Sequence, residues 1–336
     1  MPLKDILKLF PILLLITSCV GGSKRPDVSQ IEVDLRWSRL DRELFAKKYS
    51  MEEKVPALKV KYGNFFSQYV ESILNVGAVN DPLLPSVLKD FVYDSDIQKI
   101  YNKTQETLGD LEPEQEELKQ AFRYFKHYLP ERPIPQVVTY ISGFNYAIAA
   151  SDSTLGIGLD MYLGSDYYYY SQLGYPAYRK RKLNRQFLVK DAVKGWIQSD
   201  FEPDPENKTL LNEMVYAGKI FYMLDLLLPE TPDSIKIGWT SKQLEWCETN
   251  ETMLWGHFVN ENLLFNIHRN QYQKYLAEGP FTTGFSQEAP SQIGFWMGWK
   301  IVRSYMENNS EVTPEELLNT SDPQIILNKS GYKPSL

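Results

Sequence analysis

Three histidines, His127, His257 and His268, are the imidazoles available for acid–base or metal chemistry in the 336-residue chain. No two of them stand at the i, i+4 spacing that places a zinc-binding pair on one helical face. Each reads as an ordinary helix-surface or core residue. The sequence has no Gly-x-Ser-x-Gly elbow and no phosphate-cradling glycine loop. Cys247 follows Trp246 and sits in no nucleophile motif, which suggests a packed thiol. Carboxylates are plentiful: Asp160, Asp191, Asp225, Glu245, Glu251 and Glu261 could include a pair for acid–base work. Abundance fixes no geometry, however. The sequence names no catalytic residue, no metal ligand and no cofactor.

The other cysteine, Cys19, lies in a different context. Lys4 and Lys8 precede an apolar stretch from Phe10 to Ile16, and Thr17 and Ser18 lead into the thiol, which is the layout of a secretory signal. The stretch is well short of the ~20 apolar residues that cross a bilayer. The run Ile16-Thr17-Ser18-Cys19 resembles the lipobox at which bacterial lipoproteins are acylated and then cleaved. The expected organisation is a signal peptide over 1–18, a lipidated flexible tether over 19–30 and one globular domain over 31–336. Several acyl chains, at about 0.8 kcal/mol per buried methylene, would hold such a protein on a membrane.

Net charge is −7, and loss of Lys4, Lys8 and Asp5 with the signal makes the remainder slightly more acidic. With no basic stripe to release phosphate counterions, nucleic acid is excluded as a partner. Hydrophobic residues make up 43% of the chain, enough for a large core. Cys247 has no partner for an ordinary structural disulfide once Cys19 is acylated, so packing must supply the stability.

The elements that would position any site are mostly helices. Val55, Leu58, Tyr62, Phe65, Phe66, Tyr69 and Ile73 recur at three- and four-residue steps, predicting one amphipathic helix. Further helices are expected near 86–94, 96–107, 114–127, 184–199, 209–228, 241–266, 270–277, 290–308 and 314–319. Pro113 with Glu114, and Thr313-Pro314-Glu315-Glu316, are start signals. Between them, 135–142, 146–150 and 154–159 read as strands of a small antiparallel sheet. Gly156 and Gly158 mark either an edge approached by another chain or a twist. Residues 164–176 read as a tyrosine-rich loop with some rings exposed. The fold class is α+β, mainly helical.

Ordered blocks along the whole chain carry a resemblance. Arg42-Glu43-Leu44-Phe45, Ile141 to Tyr146, Asp152 to Asp160, Asp191 to Trp196, Gly218-Lys219-Ile220 with Leu224-Asp225, Trp246-Cys247 and Gly298 to Met306 resemble the GldB family of gliding-motility lipoproteins of the Bacteroidota. The resemblance implies a cell-envelope protein required for gliding and linked to type IX secretion, with machinery proteins as partners and no established enzymatic activity. Val20 and Gly21 lack the acidic cluster associated with surface export in that phylum, which favours a domain facing the periplasm, with the outer membrane preferred over the inner.

A second resemblance is to zincin metallopeptidases. Strand, loop and two helices occur in a similar order, but the window expected to hold His-Glu-x-x-His reads Lys190-Asp191-Ala192-Val193-Lys194. Where a Glu-Gly-Ala pattern would stand there is Ala217-Gly218-Lys219. Protonated lysines have donors and no acceptor, so they bind no cation. This resemblance implies a peptidase-like domain without its metal, holding an extended peptide along the strand at 154–159 by backbone pairing. The plainer reading leaves Lys190 and Lys194 as solvated helix residues. Candidate binding residues are Asp160, Lys190, Asp191, Lys194, Lys219 and Asp225. Two functions stay open: a non-enzymatic partner-binding lipoprotein, or a periplasmic hydrolase of peptide or envelope polymer.

Overall fold

A computed structural model describes residues 25–151 and 153–334. The signal segment and Cys19 lie outside the described residues. The tether expected over 19–30 is already docked in its second half, since Val28 is 2% exposed.

In chain order the main elements are β1 (Trp37–Arg39), α1 (Leu40–Phe45), α2 (Met51–Tyr62), α3 (Leu84–Tyr93), α4 (Ser95–Leu108), α5 (Glu112–Tyr128), β2 (Gln136–Tyr140), β3 (Ile148–Ser151) and β4 (Thr154–Gly158). There follow α6 (Leu188–Asp200), α7 (Leu210–Leu227), α8 (Ser241–Thr249), α9 (Glu251–Asn260), α10 (Ile293–Asn308), α11 (Pro314–Asn319) and α12 (Pro323–Ser330). The mainly helical α+β class is what the sequence implied.

Local chemistry sets several boundaries. Ser50 and Glu53, Thr240 and Gln243, and Thr313 and Glu316 form reciprocal capping boxes at the starts of α2, α8 and α11, satisfying amides that a helix leaves unpaired. The single helix expected over 55–73 is broken at Gly63, whose φ of 52° and ψ of −127° no helix accommodates. A short helix (Asn64–Gln68) and a π-turn (Tyr69–Ile73) continue beyond it, so the apolar face persists while the axis changes. The expected helix over 241–266 likewise divides at Asn250 and ends at Asn260.

The sheet corrects the expectation of antiparallel pairing. Strand order is β1-β2-β4-β3, with β1–β2 and β2–β4 parallel and only β3–β4 antiparallel. From β2 the chain crosses to the far edge as β3, then folds back as β4 into the space between. Every residue of β4 is buried, as in strands covered on both faces. Strand 154–158 is therefore internal, and an extended peptide has no free edge to pair with there. Its glycines answer to the chain's own packing: a methyl on Gly156 would lie 2.6 Å from the Phe65 ring and 2.9 Å from that of Tyr140.

α6 packs on β3 and β4, where a methyl on Gly195 would lie 2.5 Å from Ile148. α7 is the central helix, touching α5, α6, α10 and α12. The tyrosine-rich stretch carries a short helix (Tyr168–Gln172), and of its rings Tyr169 and Tyr170 are buried while Tyr168 is 48% exposed.

Candidate functional site

The structure separates the candidate residues into four places. Asp160 follows β4, fully buried, and accepts from the Ser142 amide at 2.9 Å, the Ser142 hydroxyl at 3.0 Å and the Phe144 amide at 2.7 Å. Gly143 and Phe144 both adopt a φ of 67°, so Asp160 holds a strained loop in place. Burial raises its pKa against the opposing pull of those donors.

Asp225, near the end of α7, is the hub of an ion network. It accepts from Arg303 twice at 2.7 Å, from the Trp299 indole at 2.8 Å and from Lys236 at 2.9 Å. Arg303 also binds Asp233 at 2.7 Å and stacks 3.9 Å over the Trp299 ring. Burial alone would lower the Arg303 pKa, but the two carboxylates outweigh it and raise it. Here α7, α10 and the turn of helix at Asp233–Ile237 are fastened together.

Lys219 lies on a separate face of α7. Its ammonium donates to the Thr320 carbonyl at 2.5 Å and stands 3.4 Å from that of Leu318, where α11 ends. Beside it is a cavity of about 420 Å³ whose lining includes Tyr216, Glu202 and Asp204. Burial pulls Lys219 down to about 8.

Only Lys190, Asp191 and Lys194 come together. On α6, Lys190 is buried, pairs with Asp191 and lies 5.4 Å over the Phe187 ring; Asp191 also accepts from the Tyr162 hydroxyl at 3.2 Å. Lys194, half-buried, lies 5.3 Å over Phe221. Burial first, then the adjacent Lys190 and Lys182, pull it down to about 8, partly offset by Asp191 and Glu278. Lys182 binds Glu278 at 2.8 Å, and Arg179 approaches the same carboxylate at 3.8 Å. Arg179, Lys182 and Lys194, with Lys190 buried behind them, thus face two carboxylates on a shelf of an otherwise acidic protein. Such a shelf attracts anions rather than a metal cation.

Sequence reasoning missed Arg179, Lys182 and Glu278, because Lys182 and Glu278 are 96 residues apart and no local pattern joins them. It also missed Asp233, Lys236 and Arg303. Among the other acidic candidates, Glu251 accepts from the Tyr332 hydroxyl at 2.6 Å and lies 3.4 Å from Lys300. Glu245 and Glu261 are exposed. His257 bonds the Tyr275 hydroxyl at 2.8 Å. Among the described residues there is no group of three or more His, Cys, Asp or Glu side chains arranged to hold a metal ion, and no helix long and apolar enough to cross a membrane.

No curated protein and no solved structure matches the chain. The family model described as gliding motility protein GldB matches residues 21–334, nearly the whole length. By that match the chain belongs to the GldB family of gliding-motility lipoproteins, and with it takes a role in gliding motility.

Proposed function

We propose that the protein is anchored through acylated Cys19, faces the periplasm from the outer membrane, and supports gliding and type IX secretion by binding a protein partner rather than by catalysis. The observation that carries this reading is how the candidate groups are used. Asp160 and Asp225 are spent on internal bonds with a loop and an ion network, whereas Arg179, Lys182 and Lys194 crowd onto a shelf with fewer anions than cations. A hydrolase of peptide or envelope polymer draws less support, because Asp160, Asp191 and Asp225 converge on no common cleft.

The test uses photo-crosslinking in living cells from position 182, with Cys19→Ser in parallel. The expected result is one or a few discrete adducts with envelope proteins, and loss of both fatty-acid labelling and membrane attachment in Cys19→Ser. An unlabelled wild type, or a Cys19→Ser protein that stays acylated, defeats the anchor. Absence of adducts at 182 together with full motility after shelf substitutions defeats the partner-binding reading.

A further inference from the structure

The described chain begins at one end of the central helix, and that end carries a groove. Arg25 pairs with Glu230 and donates to the Pro229 carbonyl at 3.3 Å. Beside Arg25 and Pro26 opens a groove of about 580 Å³ lined in part by Tyr124, His127, Tyr128, Tyr222 and Val312. The C-terminal ends of α5, α7 and α10 all reach it, and each brings the partial negative charge of a helix C-terminus. Asp225 lines the groove and Glu230 stands at its Arg25 side. Burial, with Tyr128, Asp225 and Glu307 nearby, raises the Tyr222 hydroxyl to about 12, so it remains a hydrogen-bond donor. Asp225 and Glu230 are already paired with cations, so the groove's negative character comes from the three helix ends, above a floor of half-buried tyrosines.

Five residues separate Cys19 from Arg25, six Cα-to-Cα steps with a reach of about 20 Å when fully extended. α7 has 18 residues and at 1.5 Å per residue runs about 27 Å. The leash is shorter than the helix. At the other end of α7, the Leu210 and Leu211 amides donate to the Asn266 and Leu264 carbonyls at 3.2 and 2.8 Å, and Phe265 and Ile267 are exposed.

We propose that the groove rests on the headgroup layer of the membrane holding the anchor and takes up the ammonium groups of phosphatidylethanolamine, so that α7 leads away from the bilayer and the 264–267 loop forms the distal pole. Tyrosine, with an apolar ring and a polar tip, suits that layer, and ammonium groups complement the carbonyl ends of the three helices. The inference rests on acylation of Cys19, and its test separates the two.

Full-length acylated protein carrying a nitroxide at H127C or F265C is placed in vesicles of phosphatidylethanolamine and phosphatidylcholine bearing a headgroup-attached nickel chelate. Both positions are exposed. Cys247 is buried, and burial raises its thiol pKa further, so it does not compete for the label. Nitroxide relaxation is expected to be several-fold stronger at 127 than at 265, with the difference shrinking in vesicles of phosphatidylglycerol. Equal or reversed relaxation in protein that floats with the vesicles overturns the orientation and leaves the anchor standing. A difference unchanged in phosphatidylglycerol overturns the ammonium assignment. Wild-type protein that fails to float overturns the anchor itself.

Discussion

Gly218 of α7 and Gly298 of α10 lie back to back where the two helices cross, and a methyl group on either would enter the backbone of the opposite helix, at the Gly298 carbonyl in one case and the Met214 carbonyl in the other. The Phe221 and Trp299 rings close the crossing at 5.2 Å between centroids. Each helix gives up side-chain volume so that the largest buried aromatics can interlock around the contact.

Alanine at 218 or 298 is therefore expected to destabilise the domain by at least about 1–3 kcal/mol, the usual range for overpacking, although alanine is normally favoured over glycine in a helix by up to about 1 kcal/mol. Gly256 in α9 is the control: a methyl there meets only the Asn260 side chain at 4.0 Å, and G256A is expected to stabilise. Urea midpoints decide the matter, and equal behaviour of all three variants would refute the packing account.

The ion network at Asp225 makes a different claim. R303M leaves Asp225 and Asp233 short of a partner, and breaking a fully buried pair costs about 3–5 kcal/mol. Arg303 keeps 29% side-chain exposure, which lowers the expected loss to about 2 kcal/mol. The double variant R303M/D225N should recover part of that loss, and a double variant weaker than the sum of the singles counts against coupling.

Stability should climb in alkaline solution because of Lys219 and Lys194. Burial lowers both from 10.5 to about 8, so between those values the unfolded chain binds more protons than the folded one and stability rises with pH. The gain is complete above about 10.5 and disappears as pH falls through about 8. K219M should flatten this rise in a series of urea midpoints, and a slope identical to wild type would contradict burial as the cause.

Charge on the α6 shelf should matter to the cell more than to the fold. K182Q and K194Q are expected to reduce gliding while shifting the thermal midpoint little, since Lys182 keeps partial exposure and a neutral amide at 194 removes a charge that burial disfavours. K190E should instead unfold the domain, because Lys190 is buried against Asp191 and reversal leaves two like charges there. Wild-type spreading by the first two variants would remove the shelf from function.

Helices with a clean apolar stripe or a capping box, such as 112–128 and 314–319, were legible because their signals lie within one or two turns. The pairing of β1 with β2 was not, since Trp37 and Val137 are 100 residues apart in register and β1 has only three residues to announce itself. Gly63 was visible as a glycine, but periodicity on both sides disguised its left-handed φ as a continuing helix. At the site, the i, i+4 spacing of Lys190 and Lys194 placed them correctly on one helix. It did not reveal that Lys190 is inside, nor that Lys219 points to another region altogether, because facing is decided by what α6 and α7 pack against.

The sheet has outer strands of three and four residues, β1 and β3. Copies of a protein crowded side by side meet often, and a long open strand would make those encounters adhesive. Margins this short offer a neighbouring copy few backbone bonds, so crowding does not by itself zip adjacent sheets together.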